Sequence, residues 1–112
     1  MEKETISFED FQKVDIRTGT IIDVKKFEKA IKPAYQLKID FGSLGVKNSS
    51  AQITSLYTKK ELLGKQITAI INFKPKQIAN FMSECLILGI QNEKDVVLLH
   101  PQKHAKNGNK VS

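Results

Sequence analysis

The chain has 112 residues, enough for one domain and too few for two ordinary ones. Its 40% hydrophobic and 27% charged residues are globular usage, which excludes disordered, collagenous and coiled-coil chains. The longest uncharged stretch, 48–58, is short and polar, so no membrane span is expected. Eighteen basic residues against twelve acidic ones leave a formal charge of +6, an excess that favours polyanionic partners or surfaces.

Ser7 followed by Asp10, with Phe8 and Phe11 at helical spacing, predicts a short capped helix from Phe8 to Lys13. Val14 and Ile16, then Ile22 and Val24, alternate with polar residues as a long first strand, in which Gly19 marks a bulge or bend. A lysine-rich turn, Lys25 to Pro33, leads to the clearest alternation in the chain, Tyr35, Leu37, Ile39 and Phe41 on one face. After the turn Gly42–Gly45, Val46 to Thr54 reads as a polar third strand. Thr58 and Glu61 match the T-x-x-E capping box of a short helix, with Leu62 and Leu63 buried and Gly64 as its stop. Ile67, Ala69, Ile71 and Phe73 alternate again, and Cys85 to Ile90 and Val96 to Leu99 are short apolar runs. Three strands, a helix and further strands, with no long crossover helix, predict an all-β domain with short helices: a five-stranded Greek-key barrel of the OB type spanning residues 1–112. Residues 101–112 are a polar, basic tail that wraps the domain or a partner subunit.

The charge is unevenly placed. Residues 1–28 carry five basic and seven acidic groups, residues 29–60 carry six lysines against Asp40, and residues 61–112 carry seven lysines against four acids. Seventeen of the basic residues are lysine and one is Arg17, so the bidentate guanidinium contacts that read guanine are nearly absent. Nucleic-acid binding, where present, follows backbone and shape.

Residues suited to catalysis are sparse. His100 and His104 stand four apart, but Pro101 follows the first and no acid lies beyond Asp95, which disfavours a metal site. The single cysteine, Cys85, opens an apolar strand and reads as a small buried hydrophobe. The loop Gly42-Ser43-Leu44-Gly45-Val46-Lys47 lacks the ending of a phosphate loop. Ser83 and Glu84 have no histidine near them in sequence, so no hydrolase triad is supported; the Glu84 carboxylate accepts backbone hydrogen bonds at the barrel mouth or stands on a functional surface. No enzyme and no cofactor are expected. Asp15 and Arg17 share one strand face, as an ion pair or as an interface anchor.

The stretch from Asn72 to Met82 links two strands and sets Phe73, Ile78, Phe81 and Met82 among Lys74, Lys76 and the amides Asn72 and Gln77. Aromatics interleaved with lysines stack bases and neutralise phosphates. The same apolar side chains around a groove hold a peptide, or plug the barrel end.

Five ordered blocks carry a family likeness: Asp15-Ile16-Arg17-x-Gly19, Lys32-Pro33-Ala34-Tyr35-x-Leu37-Lys38-Ile39-Asp40-Phe41-Gly42, Ser49-Ser50-Ala51-Gln52-Ile53, Asn72-Phe73-x-Pro75-x-Gln77-Ile78-Ala79 and Ser83-Glu84. Together they resemble the stand-alone tRNA-binding domains, most closely the CsaA branch, over about Phe8 to Val111. The resemblance implies an OB-fold core, a homodimer formed through the extensions 1–13 and 101–112, and a cytoplasmic chaperone associated with protein export, in a wider family that binds tRNA. The chain departs from the tRNA-binding pattern in having Cys85-Leu86 after Ser83-Glu84, where Gly-Met is usual, and Lys32-Pro33-Ala34, where Asp-Lys-Leu is usual; both point to the CsaA branch.

The resulting expectation is a non-enzymatic chaperone that holds unfolded or precursor polypeptides in a groove formed by Phe41, Asn72, Phe73, Gln77, Ile78, Phe81 and Met82. Binding of structured RNA, tRNA above all, is expected to use Lys29, Lys32, Lys38, Lys74, Lys76, Ser83 and Glu84, and the alternative is an RNA-binding protein with no chaperone role. Phe8, Phe11, Asp15 and Arg17 are the expected dimer contacts, and no membrane insertion is expected.

Overall fold

A computed structural model describes residues 2–112. Helix α1 (Phe8–Gln12) is closed by the expected capping box, the Asp10 N–H donating to Ser7 Oγ at 3.1 Å and the Ser7 N–H to the Asp10 carboxylate at 3.4 Å. The strands follow as β1 (Ile16–Lys26), β2 (Tyr35–Asp40) and β3 (Val46–Ala51), then helix α2 (Lys59–Leu62) and β4 (Gln66–Ile70). Two hairpins and a short strand complete the chain: β5 (Lys76–Ile78) with β6 (Phe81–Ser83), then β7 (Leu86–Ile87), then β8 (Gly89–Asn92) with β9 (Asp95–Leu98).

The sheet order β3-β2-β1-β4-β7 is antiparallel throughout and curls into a nearly closed barrel of the OB type, as the strand pattern predicts. Ile21, Leu37, Ile39, Phe41, Ile67 and Ala69 fill its interior, and Leu62 of α2 plugs one end.

Two details of β1 differ from the sequence reading. The bulge falls between Ile21 and Asp23, not at Gly19. One extra residue there lets Ile21 and Val24 both turn inward and leaves Ile22 46% exposed. Gly19 is needed for proximity instead: a Cβ there would sit 2.6 Å from Ile39 Cγ2 and 2.8 Å from the Phe41 ring.

The third strand ends at Ala51 rather than Thr54, and the run 85–90 breaks into β7 and the start of β8. Residues 72–82, expected as a linking loop, contain the β5–β6 hairpin. Its two-residue turn, Ala79-Asn80, places Ala79 at φ 52°, a left-handed conformation usually taken by Gly or Asn, so only Asn80 signals the turn in the sequence.

The seam between β3 and β7 is held by residues 83–85. Glu84 N–H donates to the Asn48 carbonyl at 2.8 Å, Asn48 N–H donates to Glu84 Oε1 at 2.9 Å, Ser50 N–H donates to Ser83 Oγ at 3.2 Å, and buried Ser49 Oγ donates to the Cys85 carbonyl at 3.0 Å. The tail crosses its own domain: Gly108 N–H and Val111 N–H donate to the carbonyls of Thr18 and Ile16, and Asn107 Oδ1 accepts from Thr20 and Gln66. No helix is long and apolar enough to cross a membrane among the described residues.

Candidate functional site

In small OB barrels the second and third strands, with the loops after the first and fourth strands, form the usual ligand-binding surface. Here those loops are residues 27–34, which carry exposed Lys29 and Lys32, and residues 71–85, which carry exposed Lys74, Lys76 and the β5–β6 hairpin. The two loops touch: the rings of buried Phe27 and half-buried Phe81 pack edge to face, their centroids 5.4 Å apart. Lys38 lies on the outward face of β2, bonded to Asn48 Oδ1 at 3.3 Å across the strand pair.

Because side chains alternate along a strand, the hairpin has two faces. Lys76, Ile78, Phe81 and Ser83 share one, and Gln77 and Met82 share the other. The first face borders a concavity of about 590 Å³ lined by Phe73, Lys74, Lys76, Ile78, Ser83, Glu84, Cys85 and Leu86 on one side and Ser50 and Gln52 on the other. Phe73 is 56% exposed and Leu86 49% exposed, so an apolar floor stands open to solvent. Along the same seam lies a second concavity, of about 390 Å³, walled by Ile53, Leu86, Ile87, Val96 and Leu98. Phe81 belongs to a third and smaller one, with Asp23, Lys25, Gln36, Lys38 and Asn48.

The expected groove residues therefore separate. Phe73 and Ile78 come together. Phe41 does not join them: it is fully buried, since the inward register of β2 carries it into the barrel core. Asn72 is spent elsewhere, its Oδ1 accepting from Asp15 N–H at 3.0 Å and its Nδ2 donating to the Lys13 carbonyl at 2.7 Å, which pins the segment between α1 and β1. Gln77 donates to the Ala79 carbonyl at 3.1 Å inside its own turn, and with Met82 it faces away from the concavities. Phe81 packs against Phe27.

Of the expected RNA-binding residues, the five lysines are exposed on the two loops and β2, with Lys74 and Lys76 at the hairpin concavity and Lys38 at the smaller one, whereas Ser83 Oγ and Glu84 Oε1 accept from the backbone of β3. Leu86, Gln52 and Ser50 were not expected to line a site. Leu86 lies in a nearly continuous apolar run, and strand alternation turns it outward between Cys85 and Ile87, which pack on the core.

At the termini, Phe8 is 69% exposed, Phe11 is half-buried and their rings lie 6.1 Å apart; α1 buries none of its residues. Asp15 and Arg17 form the ion pair, Nε to Oδ1 at 2.6 Å, and Arg17 Nη1 also donates to the Gly108 carbonyl at 3.0 Å. The guanidinium thus holds the tail of its own chain.

Acid–base chemistry finds little to work with. Burial, reinforced by the neighbouring Glu84 charge and opposed by a bond to Ser49, pushes the Cys85 thiol up to about 11, far from a reactive thiolate. The Glu61 carboxyl is lowered by hydrogen bonds from the Thr58 cap, which occupy it structurally. Among the described residues no three His, Cys, Asp or Glu side chains are grouped to hold a metal ion.

A family model described as "Putative tRNA binding domain" matches residues 16–110. The methionine–tRNA ligase of Pyrococcus horikoshii is 37% identical over 110 residues, 98% of this chain and 15% of the ligase, and that of Nanoarchaeum equitans is 39% identical over 106 residues, 95% of this chain and 13% of the ligase. The chain thus spans about a seventh of the length of these curated relatives. Two solved structures are similar over nearly all of both chains: the chaperone CsaA of Bacillus anthracis, 48% identical with TM-score 0.92 over 97% of this chain and 100% of that one, and the CsaA chaperone protein of Picrophilus torridus, 53% identical with TM-score 0.92 over 96% and 100%. The chain belongs to the tRNA-binding domain family, in its CsaA-type branch.

Proposed function

We propose that the protein is a non-enzymatic chaperone that binds unfolded or precursor polypeptides in the concavity between β3 and the β5–β6 hairpin. One observation carries the reading: Phe73, Ile78 and Leu86 line an open concavity of about 590 Å³ rimmed by Lys74 and Lys76, where a monomeric barrel would gain by covering its apolar side chains. Burying client side chains there supplies affinity, and the lysines keep the rim wetted and selective for charge. The likeness to proteins described as CsaA chaperones supports the same reading. The same proposal includes a cytoplasmic homodimer acting in protein export, joined through the extensions 1–13 and 101–112, with exposed Ile6 and Phe8 of the first extension as apolar contacts.

The test is titration of a chemically unfolded client, read by anisotropy and by suppression of its light scattering. Phe73→Ser is expected to leave the midpoint of thermal unfolding nearly unchanged and to weaken both readouts about tenfold, as loss of one buried anchor requires. Phe81→Ser is expected to lower the midpoint, because its ring packs on Phe27. Unchanged binding and unchanged suppression in folded Phe73→Ser would reject the groove.

A second reading, binding of structured RNA such as tRNA, is favoured by the five lysines, Lys29, Lys32, Lys38, Lys74 and Lys76, on the two loops and β2. Phosphate contacts release counterions, so affinity should fall steeply with salt, and each lysine removed should reduce the slope of log K against log salt by somewhat under one unit. A flat salt response would count against it.

A further inference from the structure

We propose that Asn107 is a modification site sealed by docking of the tail: when the tail leaves β1, the Gly108 nitrogen attacks the Asn107 side-chain amide, and the isoaspartate that results cannot dock again. Asn107-Gly108 is the only Asn-Gly pair in the sequence, and a glycine, lacking a Cβ, leaves its own nitrogen unhindered. The deprotonated Gly108 nitrogen forms a bond to Asn107 Cγ, the Cγ–Nδ2 bond breaks, and ammonia leaves. Water then opens the cyclic imide. Opening at the side-chain carbonyl gives aspartate; opening at the backbone carbonyl gives isoaspartate, whose main chain runs through Cβ and Cγ.

In the docked tail both reacting groups are held. Asn107 Oδ1 accepts from Thr20 Oγ1 at 2.9 Å and from Gln66 Nε2 at 3.0 Å, which fixes the side chain against β1 and β4. The Gly108 N–H donates to the Thr18 carbonyl at 2.7 Å, and the Gly108 carbonyl accepts from Arg17 Nη1 at 3.0 Å. The Asn109 N–H closes a turn on the Lys106 carbonyl at 3.1 Å, with Gly108 at φ 92° and Asn107 at negative φ, the pattern of a type II turn. Such a turn sets ψ of Asn107 near about +120°, which points the Gly108 nitrogen away from Asn107 Cγ.

The same contacts leave no room for the isoaspartyl product. Residues 107–108 press on Phe41-Gly42: a Cβ on Gly42 would stand 2.5 Å from the Asn107 carbonyl oxygen, and one on Gly108 2.5 Å from the Phe41 carbonyl oxygen. An isoaspartyl link adds a methylene to the main chain at that point. Beyond it, the bonds from Gly108 N–H to Thr18, from Thr18 N–H to the Asn109 carbonyl and from Val111 N–H to Ile16 need the present register. Aspartate, by contrast, keeps the backbone and offers a carboxylate oxygen to the same two donors.

The experiment incubates the full chain in mildly alkaline buffer, folded and in urea, and follows deamidation at Asn107 by peptide mass spectrometry, with isoaspartate read by isoaspartyl methyltransferase labelling. The folded chain is expected to react at least about tenfold more slowly than the unfolded one, since only the opened fraction reacts. The double variant Arg17→Met, Thr20→Val removes the side-chain holds of β1 on residues 107–108; it should speed the folded reaction and leave the rate in urea unchanged. Chains aged in urea, refolded and separated by charge give the isoaspartyl form. That form should lose hydrogen-exchange protection at the Thr18, Gly108 and Val111 amides, whereas Asn107→Asp should keep it. Equal rates in folded and unfolded chains, no acceleration in the double variant, or an isoaspartyl chain as protected as Asn107→Asp overturns the proposal. None of these results touches the polypeptide-binding reading, which rests on a different face.

Discussion

Glu84 and Asn48 bind each other twice: the Glu84 N–H donates to the Asn48 carbonyl at 2.8 Å, and the Asn48 N–H donates to the Glu84 carboxylate at 2.9 Å. A side chain here replaces a strand. Beside the one backbone bond that Glu84 makes to β3, its carboxylate supplies the acceptor for the Asn48 N–H and helps close the barrel, with Ser83 Oγ doing the same for the Ser50 N–H. Glu84→Ala removes a charged acceptor and strands a half-buried N–H, so a loss of about 2 kcal/mol is expected in urea unfolding. Glu84→Gln keeps a neutral acceptor and should lose less.

Gly19 tests the packing of the barrel. With Ile39 Cγ2 only 2.6 Å and the Phe41 ring 2.8 Å from where a Cβ would stand, Gly19→Ala forces β1 away from β2. The expected cost is about 1–3 kcal/mol, measured by denaturant unfolding. Gly45→Ala makes the contrast: its Cβ meets no atom within 4 Å, so the cost there is one of backbone alone, from its φ of 89°.

Arg17 should control the tail. It bonds Asp15 and the Gly108 carbonyl together, so Arg17→Met cuts a side-chain link between β1 and residues 106–111 while keeping an apolar stem. Faster limited proteolysis within 101–112, with residues 16–98 still protected, is the expected result. Equal cleavage rates would mean that the backbone bonds of Thr18 and Ile16 hold the tail without the guanidinium.

Cys85 gives a pH signature. Its thiol is raised from an ordinary 9.0 to about 11, chiefly by burial. Since the folded value lies above the unfolded one, the thiol contributes stability that is fully present below about pH 9 and is lost as pH rises toward 11. Stability measured from pH 8 to 11 should fall more in the native chain than in Cys85→Ala, and the native thiol should resist alkylation at pH 8 until urea unfolds it.

Much of this protein was legible in its residues. The capping boxes at Ser7 and Thr58, the alternation of Tyr35 to Phe41 and the ordinary chemistry of Cys85 are local properties, set by spacings of two to four residues, and they appear in the structure as read. The excess of lysine after residue 28 also survives as a surface fact, on the loops and β2. The concavity was not legible, because it depends on residues far apart in sequence meeting at one seam. Phe73 and Phe41 look alike along the chain, but the register of β2 buries one, and the exit of the chain beyond β4 leaves the other in water. The hairpin turn Ala79-Asn80 offers only Asn80 as a usual turn residue and no glycine, so which side of the strand Phe81 and Met82 occupy depends on the pairing itself. Local propensity determined the elements and the sign of the charge. Burial and register, which are long-range, decided which apolar side chains remain free to bind.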